Sequence, residues 1–161
     1  MLLSVVEDEN IYLNYWDKKD QSMQSRSLNN VCAKMKAAMA LEISEDDKTV
    51  FIGGCNTMDI FEGRAVLSAV HLNQYMVHIA SLELHDKSLK NIFQVKRMPK
   101  TNVLVVSGFK SISIVQYCDS RKSFTELKQL KNLHSGEIFD FVINGREIYS
   151  ICSRDEYVHK F

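Results

Sequence analysis

The sequence has little proline and no excess of either charge. One proline in 161 residues leaves no proline-rich linker or low-complexity segment. Twenty basic residues balance twenty acidic ones. A chain without net charge has no overall attraction to nucleic acid or anionic lipid, so neither is favoured as a partner.

Long apolar runs are also missing. No stretch of about 18 apolar residues is present, so no helix that crosses a bilayer is expected. The first residues turn acidic by Glu7 and contain no basic lead followed by an apolar segment. The first residues therefore do not have the pattern of a secretory signal peptide.

Cysteine occurs four times, without any Cys-x-x-Cys pair. Cys32, Cys55, Cys118 and Cys152 lie far apart in the sequence. Zinc sites and disulfide frameworks usually have closer spacing, so we expect free thiols in a reducing compartment. The protein is accordingly expected to be intracellular, and cytoplasmic rather than nuclear.

Strand signals dominate what is present. Short runs rich in β-branched and aromatic residues are separated by polar turns, and Asn144-Gly145 is the strongest hairpin signal. The residues of Asn30–Met39 favour a loop or one helical turn before a strand. The predicted strands are Leu2–Val6, Ile11–Tyr15, Ala38–Ile43, Thr49–Ile52, Ala65–Leu72, Met76–Leu84, Asn91–Val95, Val103–Val106, Ile112–Tyr117, Phe124–Leu130, Ile138–Ile143 and Glu147–Cys152.

A strand-turn-strand pattern that ends in small residues recurs along the chain. Its second strands begin near Leu2, Thr49, Asn102 and Glu147, at intervals of 47, 53 and 45 residues. The longest interval contains an apparent insertion, Thr57–Gly63. A repeat of about 40–45 residues with four strands is typical of β-propeller blades. The predicted fold class is therefore all-β, with propeller blades that are four-stranded antiparallel sheets.

The last repeat resembles the WD-repeat family. His134 stands before the first strand, Asp155 follows the second, and Val158 and Phe161 match the apolar and aromatic positions after that aspartate. The resemblance implies a hydrogen-bond network in which a strand hydroxyl, Ser150 or Ser153, links His134 to Asp155. Near the start, Trp16-Asp17 is the dipeptide that names the family, and we assign both residues to the same structural network.

The repeats divide the chain into blades at approximately 1–30, 37–85, 90–131 and 134–161. These supply fewer strands than a closed propeller usually needs. We therefore expect a partial propeller, either a fragment or part of a larger structure. The missing chain or a second copy would complete it.

Signals for catalysis or cofactors are weak. His71, His78 and His85 have no cysteine or carboxylate at ligand spacing, and they are interpreted as structural. Gly53-Gly54 and Ser107-Gly108 do not continue into a phosphate-binding loop, and no G-x-S-x-G motif is present. The sequence predicts no catalytic residue, no cofactor and no metal site.

The WD-repeat resemblance implies a non-catalytic scaffold that binds other proteins and not a membrane. Partners would meet the rim formed by loops between strands, and Phe109 is the preferred contact because it is a large apolar residue in a loop. The other interpretation, which the sequence favours slightly, is that Phe109 folds back and packs on its own blade. The alternative is a nucleic-acid-associated module that uses the basic residues between Lys87 and Lys131. The predicted rim residues are Phe109, Lys110, Arg154, Glu156, Asp86 and Lys87.

Overall fold

A computed structural model describes residues 2–6, 10–17, 20–28, 32–59, 61–72 and 75–161. Within these ranges the chain is all-β, with strands in four antiparallel sheets and no helix. The prediction of an all-β fold built from propeller-like blades is confirmed. No helix in the described residues is long and apolar enough to cross a membrane.

Each sheet is formed by strands that follow one another along the chain, so every sheet is an antiparallel meander. The first sheet contains β1 (Leu2–Val6), β2 (Asn10–Asp17) and β3 (Ser22–Ser27). The second contains β4 (Ala37–Ile43), β5 (Thr49–Cys55), β6 (Ala65–His71) and β7 (Val77–Leu84). The third contains β8 (Gln94–Arg97), β9 (Val103–Ser107), β10 (Ile112–Cys118) and β11 (Ser123–Leu130). The fourth contains β12 (Asp140–Asn144), β13 (Glu147–Ile151) and β14 (His159–Lys160).

The inner strands of the two central sheets are buried on both faces, which explains their nearly continuous apolar sequences. Successive side chains of a strand point to opposite faces of its sheet. In β5, Val50 and Ile52 pack towards the first sheet, whereas Phe51 packs towards the third. Strands with this burial need apolar residues at every position rather than at alternate ones.

Three hydrophobic cores fill the spaces between consecutive sheets. Leu13 of β2 joins Ile52 in the first, and Leu67 of β6 joins Leu104 of β9 in the second. The third core packs Val105 and Phe141 between the third and fourth sheets. The sheets therefore stack face to face, as blades do in a propeller.

Strand boundaries differ from prediction at a few places. The strand predicted at Asn91–Val95 begins at Gln94, and the one predicted at Ile138–Ile143 begins at Asp140. Ile92 and Ile138 are nevertheless buried, because each packs into a core just before its strand begins. The described part of Asn30–Met39 forms a turn in which Cys32 N donates to Leu28 O, and β4 follows from Ala37.

The predicted hairpin at Asn144-Gly145 is confirmed. Asn144 pairs with Glu147 across a two-residue turn, and Gly145 has a φ of 62°. Glycine suits this position because other residues are strained at positive φ.

From β5 onwards, five loops lie on one edge of the stacked sheets. In an antiparallel meander, the loop from the second to the third strand leaves the same edge as the connection from the fourth strand to the next sheet. This loop edge consists of residues 56–64 (residue 60 excepted), 85–93, 108–111, 131–139 and 152–158. Neighbouring loops are joined by main-chain hydrogen bonds, including Phe109 N to Leu89 O at 2.9 Å and Leu133 N to Lys110 O at 2.8 Å.

Candidate functional site

A cleft of about 530 Å³ opens on the loop edge of the second sheet. It lies between the loop that joins β5 to β6 and the connection from β7 to β8. Its volume is within the range of small-molecule sites. The described residues that line it are Phe61, Glu62, Gly63, Arg64, His85, Asp86, Lys87 and Lys90.

Basic side chains outnumber acidic ones in this lining. Arg64, Lys87 and Lys90 carry positive charge, against two carboxylates. Arg64 Nη1 lies 2.8 Å from Glu83 Oε1, and this hydrogen bond lowers the pKa of Glu83. Lys90 Nζ lies 5.3 Å from the centre of the Phe109 ring. Cations gathered in a concave site attract anionic ligands.

Asp86 is a fixed carboxylate in the cleft wall. Its side chain is only 9% exposed, and its Oδ1 accepts hydrogen bonds from Ser88 N and Ser88 Oγ, both at 2.7 Å. Burial opposes ionisation, but the Ser88 hydrogen bonds and the nearby Lys131 hold the pKa of Asp86 below its ordinary value. Lys131 Nζ lies 3.4 Å from Oδ2. The contact between Asp86 and Lys131 thus links the cleft to the connection between β11 and β12.

Phe109 forms an aromatic contact beside the cleft. It is half-buried, and its ring meets the Phe61 ring edge-on with 6.1 Å between centroids. Lys110 Nζ lies 5.7 Å from the centre of the same ring. Phe109 therefore joins the loop after β9 to the cleft formed by the second sheet.

The predicted rim residues all lie on the loop edge. Asp86 and Lys87 adjoin Phe109 and Lys110, because Lys110 N donates to Ser88 O at 2.8 Å. Arg154 and Glu156 lie in the loop between β13 and β14, in the fourth sheet. The structure thus brings four of the six residues into adjoining loops beside the cleft.

His134, Ser150 and Asp155 meet in the fourth sheet. The side chain of His134 is fully buried. Its Nδ1 lies 2.5 Å from Asp155 Oδ2, and its Nε2 lies 2.7 Å from Ser150 Oγ. Ser135 N also donates to Asp155 Oδ1 at 3.2 Å. Hydrogen bonding by the Ser135 hydroxyl, with smaller contributions from His134 and Cys152, holds the pKa of Asp155 well below its ordinary range.

Three other residues assigned to the network lie elsewhere. Ser153 Oγ donates to Glu137 Oε2 at 2.9 Å instead of joining His134. Trp16 and Asp17 end β2 in the first sheet, where they pair with Met23 and Ser22. Trp16 is 52% exposed, as expected for a residue on the outer face of the sheet rather than in a buried network.

The basic residues between Lys87 and Lys131 do not form one stripe. Lys87, Lys90 and Lys131 lie at the loop edge, whereas Lys122 pairs with Asp119 in the turn between β10 and β11. Other members are paired within the stack, including Arg97 with Glu45 at 3.1 Å and Lys96 with Asp140 at 2.5 Å. This dispersal does not support the nucleic-acid alternative.

Sequence reasoning missed the contribution of Arg64 and Phe61 to the cleft. Phe61 lies within Thr57–Gly63, the apparent insertion in the longest repeat interval, and Arg64 follows that segment directly. A loop that departs from an otherwise regular repeat is itself a signal, because loops on a rigid scaffold often carry function.

Comparison with known proteins shows the fold. No family model matches the sequence, and no curated protein sequence matches it. A solved structure from Bacteroides uniformis, described as that of a candidate 6-phosphogluconolactonase, is similar, with a TM-score of 0.70 and 11% identity. The match covers 94% of this chain but 43% of that one, so this chain spans less than half of the similar protein.

These findings correct the assignment to the WD-repeat family, which is wrong. No WD-repeat family matches, and the similar propeller carries another name. The motif was misleading because a buried histidine, serine and aspartate can satisfy one another in a single blade of any propeller. The middle repeats have no such set, and Trp16 is exposed.

The prediction of a non-catalytic scaffold is also wrong. It was carried over from the WD-repeat resemblance, whereas the similar propeller is named for an enzyme activity. A fold does not by itself determine whether a protein is catalytic. What the comparison establishes for this chain is the propeller-like fold.

Proposed function

We propose that this chain is part of a β-propeller hydrolase that opens phosphorylated sugar lactones. The observation that carries the proposal is the cleft on the loop edge, where Arg64, Lys87 and Lys90 surround a space of about 530 Å³. That volume accommodates a phosphorylated sugar. The similar Bacteroides uniformis protein, named for activity on a lactone of this class, supports the choice of substrate.

The charges of the cleft suit a phosphate group. Lysine and arginine are the usual phosphate-binding side chains, and they are most effective where the surroundings exclude part of the water. Lys90 lies against the Phe109 ring, and Lys87 follows the anchored Asp86 in sequence. We assign phosphate binding to Lys87 and Lys90, with Arg64 on the opposite wall.

His85 suits the chemical step. Lactone hydrolysis needs a base to take a proton from the attacking water and a cation or hydrogen-bond donor to stabilise the carbonyl oxygen as it becomes negative. Histidine is the commonest general base in enzymes, and the exposed His85 lines the cleft. His85 takes a proton from the water as the water oxygen adds to the carbonyl carbon. The ester C–O bond then breaks, and the ring oxygen takes that proton from His85 and leaves as a hydroxyl.

Removing the lysines should weaken substrate binding. In the protein that contains this chain, we expect K87A/K90A to raise KM for 6-phosphogluconolactone at least about tenfold, because each lost phosphate contact costs about 1 kcal/mol or more. The kcat should change less. Initial rates at several substrate concentrations measure both constants.

Lys122 supplies the control for charge, because it lies in a turn away from the cleft and pairs with Asp119. K122A should leave KM unchanged. If the protein hydrolyses unphosphorylated gluconolactone as well as the phosphorylated one, or shows no activity above the uncatalysed rate, the proposed substrate class is wrong.

Replacing His85 should affect the chemical step. We expect H85Q to lower kcat by about 10²–10⁴-fold, the usual contribution of a general base, with little change in KM. H78Q is the matched control, because His78 is exposed in β7, outside the cleft lining. A kcat unchanged in H85Q would remove His85 from the mechanism but leave phosphate binding in place.

A further inference from the structure

The loop between β13 and β14 holds several side chains of the types that bind transition metals. Cys152, Asp155 and the buried His134 each offer a donor atom, and these atoms lie within 4.8 Å of one another. His159 lies next to Asp155, with its Nε2 3.7 Å from Asp155 Oδ2. Its ring also contacts the His134 ring, with 4.3 Å between centroids. Thiolate, imidazole and carboxylate are the donors that zinc prefers.

Two main-chain N–H groups point at the sulfur of Cys152. Arg154 N and Asp155 N both donate to Cys152 Sγ, at 3.3 and 3.2 Å. These hydrogen bonds fix the position of the sulfur in the loop, as the surroundings of a metal ligand usually do.

The surroundings of His134 fix how its ring could bind a metal. Ser150 Oγ lies 2.7 Å from Nε2, which leaves Nδ1 pointing at Asp155. A serine hydroxyl can donate or accept. When Nδ1 binds a metal, the ring proton can therefore move to Nε2 and be donated to Ser150 Oγ. A metal-bound histidine usually donates its other ring N–H to an acceptor in this way.

We propose that His134, Cys152, Asp155 and His159 form a tetrahedral site for a divalent transition metal, with zinc as the best-suited ion. Three of these ligands follow the order Cys-x-x-Asp-x-x-x-His from the loop into β14, with spacings like those of short zinc motifs. Zinc bonds of 2.0–2.3 Å place neighbouring donor atoms about 3.3–3.8 Å apart. The 3.7 Å between His159 and Asp155 already agrees with this range.

One hydrogen bond must open when the metal binds. His134 Nδ1 and Asp155 Oδ2 are 2.5 Å apart and would separate by about 1 Å to become two ligands of one ion. The Cys152 thiol loses its proton to solvent, whereas the His134 proton stays on the ring. Binding therefore releases one proton for each ion. The site lies in the fourth sheet, so this inference does not rest on the proposed lactonase activity.

Titration with Co²⁺ tests the site directly. After treatment with a chelator, the protein should bind one Co²⁺ per chain, with the visible bands of tetrahedral cobalt and a thiolate-to-cobalt charge-transfer band. Zn²⁺ should displace it. We expect C152S to lose the charge-transfer band and to bind about tenfold or more weakly, and H159A to weaken binding by a similar factor.

Cys118 provides the matched control, because it is a free half-buried cysteine in the third sheet. C118S should keep both the stoichiometry and the charge-transfer band. Circular dichroism establishes that each variant is folded, and His159 is partly exposed, so H159A is the variant that should fold best. Failure of the folded wild-type protein to bind Co²⁺, or a charge-transfer band that persists in C152S, would overturn the proposal.

Discussion

Replacing Gly108 by alanine is expected to destabilise the protein by about 3 kcal/mol or more, because the added methyl group meets main chain on two sides. A Cβ at Gly108 would lie 2.3 Å from Leu89 O and 2.4 Å from Asn91 O. Neither carbonyl can move freely, since Leu89 O accepts the hydrogen bond from Phe109 N. Urea unfolding monitored by far-ultraviolet circular dichroism would measure the change in the free energy of unfolding.

The same substitution should also disturb the cleft. Gly108 lies where the loop after β9 meets the connection after β7, so a shift there moves Phe109 away from Phe61 and Lys90. We therefore expect G108A to raise KM for the phosphorylated lactone even at temperatures where the variant remains folded.

Gly145 is the matched control for this change. A Cβ there would meet nothing within 4 Å, although the φ of 62° makes any side chain strained. G145A should cost only about 1 kcal/mol and leave KM unchanged. If G108A and G145A lost the same free energy of unfolding, close packing at Gly108 would not be the cause of the destabilisation.

Replacing His134 by alanine should destabilise the metal-free protein by about 2–4 kcal/mol. The ring is fully buried, so its loss creates a cavity as well as removing hydrogen bonds to Asp155 and Ser150. Ser150 is itself completely buried and would lose its hydrogen-bond partner. Chemical unfolding in the presence of a chelator measures this effect without any contribution from metal.

His78 shows what an exposed histidine contributes. Its Nε2 lies 2.8 Å from Ser81 Oγ, but water can replace that bond. H78A should therefore cost less than about 1 kcal/mol. A double-mutant cycle of H134A with S150A should give a coupling of about 1 kcal/mol, and strict additivity would contradict the network.

Much of the fold could be predicted from sequence because burial on both faces leaves a strong local pattern. β5 and β9 are continuous apolar runs, and the Asn144-Gly145 turn has residues that tolerate positive φ. β3 was expected as a third strand of the first repeat, but its bounds were not predicted, because Ser22–Ser27 is mostly exposed and polar and carries no apolar alternation. The two residues of β14 are too short to give a pattern of their own.

The WD-repeat assignment shows where a local motif misleads. The resemblance implied that His134 and Asp155 belong to one network, and in the structure His134 Nδ1 lies 2.5 Å from Asp155 Oδ2. That contact stabilises one blade and does not identify the family or its function. Similar constraints apply to every propeller, since each blade must satisfy the polar groups that it buries.

By itself the sequence determined the strands, the blade-like repeat and the contacts within one repeat, because these depend on residues close together along the chain. Only the tertiary structure decided which loops from different sheets meet. Phe61 touches Phe109, and Lys131 approaches Asp86, although each pair is separated by more than forty residues. Such contacts depend on the stacking of whole sheets, which no local pattern records. The aromatic and ionic contacts beside the candidate cleft therefore became visible only in the tertiary structure.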